Sequence, residues 1–421
     1  MNPVWLAGGI FLITYALIVT ERVHRTIAAL LGGVAIILIG VLEQDQAFHS
    51  IDWNVIFLLA GMMMIASILS ETGVFQWIAV KSVQLGKGSP YRIMVILMLV
   101  TAVTSALLDN VTIVILMAPV TLFIAASLGV SPIPYLIALI LASNIGGTAT
   151  LVGDPPNILI GSAADIDFLT FAANLAPIVL IILIVFMGLA RFLFRKDFKD
   201  NKSDTSGIEA MDTSELITNR SLLLKSMVVL AGVILGFLFH GVLHLQPATI
   251  ALAGATVLML WGRIDIEHVL DEIEWTALFF FIGLFIVVEA LVVVGIIEAV
   301  AQAALRLTGG DLQMTSMLLL WLSAIGSGIV DNIPYTATMI PVVENLGKAM
   351  PIDPLWWSLA LGACLGGNAT LVGAAANVVV ANLSEKSGHP ISFGLFLRYG
   401  AIVTFVSLVL ASIYVWLRYL Q

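Results

Sequence analysis

A stretch from the first half of this chain returns, edited, in the second. Residues 146–157 read GGTATLVGDPPN, and residues 366–377, 220 positions on, read GGNATLVGAAAN. A second match runs at an offset of 222, with Leu108-Asp109-Asn110-Val111-Thr112 against Val330-Asp331-Asn332-Ile333-Pro334. Trp53 and Trp275, Gly61 and Gly283, Gly73 and Gly295, Met117 and Met339, and Pro119 and Pro341 keep that second offset. A duplicated chain must build one unit twice. The residues that the two copies share most closely are Gly, Asn, Thr and Pro, which interrupt helices. Two copies of a broken helix around a common centre is the plan of transporters with internal repeats.

The medium around those copies is lipid. Of the 421 residues, 60% are hydrophobic and 11% are charged, far from the balance of a water-soluble domain. Apolar stretches long enough to cross a bilayer, about 20 residues, fall at 3–20, 26–43, 52–70, 134–165, 168–194, 222–242, 247–262, 275–293, 354–385 and 394–418. The first is followed by its positive charges, Arg22 and Arg25. A cleaved signal has the reverse order, so a retained span is expected. The net charge of −9 and the absence of any basic run argue against nucleic acid as a partner. One cysteine, Cys364, can build neither an intrachain disulfide nor a thiolate metal cage. It is expected as a small buried residue on a helix.

Segments 90–126 and 311–347 are apolar but interrupted by Asp109-Asn110 and Asp331-Asn332. Their arms are short, which favours a hairpin that enters and leaves on one side. Placing the basic loops inside then orients the whole chain. The expected fold is an all-α polytopic membrane protein of two inverted repeats, with about ten transmembrane spans, two re-entrant helical hairpins and helices broken at the midplane. Residues 1–25 form an extra N-terminal span. The first repeat, 26–196, holds scaffold spans 26–70, hairpin 90–126, broken span 134–165 and span 168–194. A cytoplasmic linker, 197–221, leads to the second repeat, 222–421, with scaffold spans 222–293, hairpin 311–347, broken span 354–385 and span 394–418. Segments 74–86 and 296–307 read as interfacial helices. Both termini are expected outside the cytoplasmic (inner) membrane.

Non-helical backbone at membrane depth persists only where protein or water satisfies it. The breaks are therefore the expected binding centre. The first supplies Asn144, Gly146, Thr148, Thr150, Asp154 and Asn157, and the second Asn368, Thr370 and Asn377. The hairpin tips add Asp109, Asn110 and Thr112, and Asp331, Asn332 and Thr336. A carboxylate at the bilayer centre costs roughly 2.5–3.5 kcal/mol on insertion scales, so Asp109 and Asp331 need a cation, a proton or loop donors. Asp154 reads equally as a cap for the half-helix after it or as a ligand. Glu289, inside a span, reads equally as structural or as a proton relay. Phe75, Trp77, Trp5, Trp356 and Trp357 are expected as interfacial anchors.

At Ser143–Asn157, reading S-N-I-G-G-x-A-T-x-x-G-D-P-P-N, and at Leu108–Thr112 followed by Pro119, the chain resembles the ion transporter superfamily. Within it, the likeness is to arsenite pumps of the ArsB type and sodium/proton antiporters of the NhaD type. The melanosomal P protein, plant silicon-efflux carriers and dicarboxylate/sodium symporters are more distant relatives. The likeness covers nearly the whole chain. It implies that each hairpin tip faces the broken helix of its own half, that this unit moves as an elevator against the scaffold, and that the protein is a dimer. The symporters carry Ser-Asn-Thr at the tips; here Asp replaces Ser at both, which disfavours a dicarboxylate anion.

The first expectation is proton-coupled export of arsenite or antimonite, held as neutral hydroxides by amide, hydroxyl and backbone groups. The second is sodium/proton antiport, with sodium at Asp109, Asn110 and Asn144. No phosphate-binding loop of the ATPase kind occurs, so energy comes from an ion gradient or from a separate ATPase subunit, and no cofactor is implied. An enzyme is disfavoured because the six histidines lie at or near span ends. His240 and His244, spaced i, i+4, read as a helix end at the surface.

Overall fold

The computed structural model describes residues 2–20, 22–195, 213 and 215–421. Most of the linker expected over 197–221 lies outside the described residues. Those residues form twenty α-helices in two sets of ten. The first set is α1 (Pro3–Thr20), α2 (Arg25–Leu38), α3 (Gln44–His49), α4 (Trp53–Ser70), α5 (Val74–Gly86), α6 (Pro90–Leu107), α7 (Asn110–Leu128), α8 (Ile133–Gly147), α9 (Pro155–Ala163) and α10 (Phe168–Leu193). The second is α11 (Arg220–Leu243), α12 (Pro247–Gly262), α13 (Ile266–Asp271), α14 (Trp275–Val293), α15 (Ile296–Thr308), α16 (Leu312–Val330), α17 (Asn332–Gly347), α18 (Asp353–Gly366), α19 (Ala375–Lys386) and α20 (Phe393–Tyr419). Nine of these are long and apolar enough to cross a membrane. The chain is a multi-pass membrane protein. Residues 1–25, expected as a span before the repeat, hold the place in the first set that α11 holds in the second.

The scaffold interlocks the two halves. Helix α2 packs along α14, and α12 packs along α4. Each crossing depends on a glycine at a matched position. A Cβ on Gly283 would come within 2.5 Å of the Ala29 backbone, and one on Gly61 within 2.8 Å of the Ala251 backbone. Lipid gives no hydrophobic drive between helices, so close backbone approach through small residues does the packing. Helix α1 lies on α2 and α14, while α11 lies on α12 and α4, the same contacts with the halves exchanged. Gly73 and Gly295 sit at φ 79° and 80°, turning each scaffold span into its connecting helix by a left-handed step that L side chains resist.

The hairpins are α6–α7 and α16–α17. Three of their four arms are long enough to cross a bilayer, so the short arms inferred from the sequence are not what makes them turn back. The tips do: Asp109 and Asp331 are buried inside the protein. Each first arm packs on the broken helix of its own half, α6 on α8 and α16 on α18, whereas each second arm reaches the other half, α7 on α19 and α17 on α9. The two-residue difference in offset is taken up between α17 and α18. Phe75, Trp356 and Trp357 are buried, not interfacial, because Phe75 lies on the covered face of α5 and α18 is enclosed by neighbouring helices; Trp5 and Trp77 are exposed, as anchors would be.

Candidate functional site

The breaks run from α8 to α9 and from α18 to α19, at Gly146-Gly147 and Gly366-Gly367. A Cβ on Gly146 would collide with the Ala102 backbone of α6, and one on Gly366 would lie 2.5 Å from Ala324 of α16. The glycines thus meet the first arms of the hairpins rather than their tips. Matched hydroxyls fix that register. Ser105 Oγ donates to the Ser143 carbonyl at 2.8 Å and Ser327 Oγ to the Ala363 carbonyl at 2.6 Å. Thr150 Oγ1 donates to the Ala106 carbonyl, and Thr370 Oγ1 to the Gly328 carbonyl at 2.6 Å.

Unwinding frees backbone carbonyls that must find donors. Asn157 Nδ2 reaches the carbonyls of Gly147, Thr148 and Thr150 at 3.2, 3.3 and 2.9 Å. Asn377 Nδ2 reaches those of Gly367 and Thr370, both at 2.8 Å. The acceptor end of each clamp then faces the opposite half. Asn377 Oδ1 accepts from Asn144 Nδ2 at 2.9 Å, and Asn157 Oδ1 accepts from Cys364 Sγ at 3.2 Å. Cys364 occupies the repeat position of Asn144, a correspondence already present in the 220-residue offset. The lone thiol is buried on a helix, as expected, and its partner Asn157 clamps the first break.

The centre is an amide network around one carboxylate. Asn144 Nδ2 also donates to Asn368 Oδ1 at 2.9 Å, and Asn144 Oδ1 accepts from Asn110 Nδ2 at 3.1 Å. Asp154 is completely buried. It accepts from Asn110 Nδ2 at 3.2 Å and from Asn332 Nδ2 at 3.2 and 3.3 Å, one donor from each hairpin tip. Although Asp154 precedes α9, its side chain makes no cap bond to that helix. No ion pair reaches it among the described residues. Asn110 Oδ1 and Thr336 Oγ1 are buried without a hydrogen-bond partner.

The tip aspartates do not join this network directly. Asp109 Oδ2 caps α7, accepting from the Thr112 N–H at 2.9 Å and from Thr112 Oγ1 at 3.0 Å. Asp331 Oδ1 accepts from the Ile333 N–H at 3.0 Å, and Asp331 Oδ2 pairs with Arg25 at 3.2 Å. Thr148 Oγ1 bonds the Asn144 carbonyl at 2.7 Å. Each hairpin tip meets the broken helix of its own half, Asn110 through Asn144 and Asn332 through its N–H to the Gly373 carbonyl at 3.0 Å, whereas the Asn332 side chain serves Asp154 of the other half. In the sequence, Arg25 stands out only as a charge flanking the first span, not as a site residue. Its repeat counterpart is Pro247, so the difference was visible as an unmatched charge.

Two cavities flank the centre at matched places. One, of about 320 Å³, is lined by His24, Arg25, Asp331 and Asn382; the other, of about 430 Å³, by Asn54, Ser162, Asp167, His240 and His244. His240 is thus not a bare helix end: its Nε2 accepts the Phe168 N–H at 3.3 Å.

The sequence matches the citrate transporter (CitMHS) family over residues 15–362. The chain belongs to that family. Among its relatives, an uncharacterized transporter of Mycobacterium tuberculosis is 47% identical over 422 residues, covering 98% of both chains. A 46 kDa membrane protein of Mycobacterium leprae is 46% identical, covering 99% of both. The P protein of Mus musculus is 33% identical across 96% of this chain and 59% of its own length. The fold is that of the Alcanivorax borkumensis YdaH transporter, whose crystal structure aligns with a TM-score of 0.61 at 14% identity over 99% of this chain and 98% of that one. This family member is a transporter, not an enzyme.

Proposed function

We propose that the chain is a secondary active transporter in which Asp154 holds a proton and a small cation in turn, sodium first among the candidates. One observation carries this reading: a wholly buried carboxylate receives an amide from each hairpin tip and, among the described residues, no cationic side chain. An unpaired charge there is costly, so a proton or a bound cation restores balance, and Asn110 Oδ1 offers a spare neutral ligand. A site that takes either ion but never both is an antiporter's site. The hairpins and breaks then move together against α2, α4, α12 and α14. Separating them would strip the clamp carbonyls and Asp154 of their donors.

The solute admits a second reading, favoured by the family's description. Free citrate would meet Asp109, Asp154 and Asp331, so it would enter with its charge offset by protons or a cation. Arsenite and antimonite, the solutes suggested by the resemblance, are neutral hydroxides suited to amides, with Cys364 supplying a single thiol. The test is reconstitution in acid-loaded liposomes. Sodium or lithium outside should drive proton release by the wild type and not by Asp154→Asn, with arsenite and citrate uptake measured in the same vesicles. Proton release by Asp154→Asn at the wild-type rate overturns the reading.

A further inference from the structure

The two faces of the scaffold are not equivalent. On one, α2 and α14 begin with Arg25 and, just before Trp275, Glu274; on the other, the matched places hold Pro247 and Asp52. Asp52 does the ordinary work of its position, accepting from the N–H groups of Asn54 and Val55 at 3.0 and 3.2 Å. Glu274 makes no cap bond to α14. Arg25 bridges scaffold and hairpin: it pairs with Asp331 and lies over the Phe280 ring, 5.6 Å from its centroid. Tyr15 of α1 ties the same hairpin to the first span, donating to the Pro334 carbonyl at 2.6 Å and meeting Thr338 Oγ1. The tip held this way is bent. Asp331 sits at φ 102°, where Asp109 at the matched tip has φ −56°, a conformation that a residue with a Cβ keeps only when its surroundings impose it.

We propose that Arg25 is a switching residue, holding the second hairpin tip through Asp331 in this state and passing to Glu274 when the hairpin leaves. The inference rests on the reading that the hairpins move against the scaffold. A guanidinium left alone in a half-buried place is costly, and Glu274 is the acid on Arg25's own side of the sliding boundary. Its charged neighbours are Asp109 of the first tip and Arg25 of α2; Arg25 in turn pairs with Asp331, Tyr15 lies toward Asp331 on the hairpin side, and His24 caps α2 next to Arg25. Burial, and then the Asp109 carboxylate, push Glu274 up to about 7, against the pull of Arg25. Below that pH Glu274 is neutral and leaves Arg25 to Asp331. Above it, Glu274 is charged and competes for Arg25, so the tip is released more readily.

The test uses the full chain with Val378→Cys as a reporter lining the Arg25 cavity, labelled by a bulky water-soluble maleimide that the buried Cys364 does not meet. Arg25→Gln should lower labelling about fivefold, as expected for one ion pair, and the exchange R25D/D331R should restore it. Glu274→Gln should keep the labelling and abolish the rise in solute exchange between about pH 6 and about pH 8. Wild-type labelling in Arg25→Gln, no recovery in the exchange, or an intact pH rise in Glu274→Gln overturns the switch. If Arg25→Gln fails to fold, the Glu274→Gln profile decides alone. A disulfide fixing the first hairpin to the scaffold separates the two readings. Transport that survives it overturns the moving unit, whereas arrest by it with unchanged Arg25→Gln labelling overturns only the switch.

Discussion

The two breaks, 143–157 and 363–377, have the same backbone plan and different chemistry. What they share holds the break open: paired glycines against the hairpin arms, Thr150 and Thr370 tied to those arms, and Asn157 and Asn377 clamping the loose carbonyls. They differ at seven positions, and at three of them, Asn144 and Cys364, Thr148 and Asn368, and Asp154 and Ala374, the difference changes the bonds made at the centre by Asn144, Cys364, Asn368 and Asp154. Duplication supplies a symmetric cage, and the unmatched residues give it an asymmetric lining, which is where the proposed site lies. A charge placed on one copy alone gives the centre a single carboxylate, where a faithful repeat would have forced two together.

This contrast can be broken at graded cost. Asp154→Asn should reduce cation-coupled proton flux by about a hundredfold or more, since an amide can neither hold a proton for transfer nor balance a cation. Asn157→Ala should act on folding instead. It leaves three buried carbonyls without the amide that clamps them, and at about 1–3 kcal/mol for each unsatisfied group the protein should melt well below wild type. Asn377→Ala should behave alike, because the clamp is shared. Gly146→Ala and Gly366→Ala should each cost about 1–3 kcal/mol by overpacking, read as lowered melting temperatures with flux per folded molecule little changed. Asp109→Asn should have a smaller effect, within about threefold in flux, because Asn also caps helices well. Cys364→Asn, which copies the first break into the second, should change flux least, since an amide donor still meets Asn157 Oδ1.

Much of this was legible before any coordinates. Helix breakers at Gly146-Gly147 and Pro155-Pro156, repeated at Gly366-Gly367, can only mean interrupted spans, and α8–α9 and α18–α19 stop and restart there. The hairpins were legible for the same reason, at Asp109-Asn110 and Asp331-Asn332. What sequence periodicity cannot carry is partnership across the pseudo-twofold axis. Nothing local says that Asn144 bonds Asn377, or that Asn332 serves Asp154 of the other half. Those pairs exist because α8 packs directly on α19 across the axis and the second arm α17 reaches α9 of the opposite repeat. Trp356 and Trp357 misled because tryptophan at a span end usually marks the interface, whereas here α18 is enclosed on all sides; Trp357 packs edge-on against Phe171 at 5.6 Å.

The proposed role of Asp154 lies in the chemistry of the site and not in the architecture of the break. The most direct test is the melting temperature of purified Asp154→Asn, taken on the same preparation whose proton flux is measured. Replacing a buried, unpaired carboxylate by a neutral amide of the same shape removes a desolvation cost. The account predicts melting at or above the wild-type temperature with cation-driven flux gone. A lowered melting temperature with flux retained would contradict it and make Asp154 a structural residue of the first break.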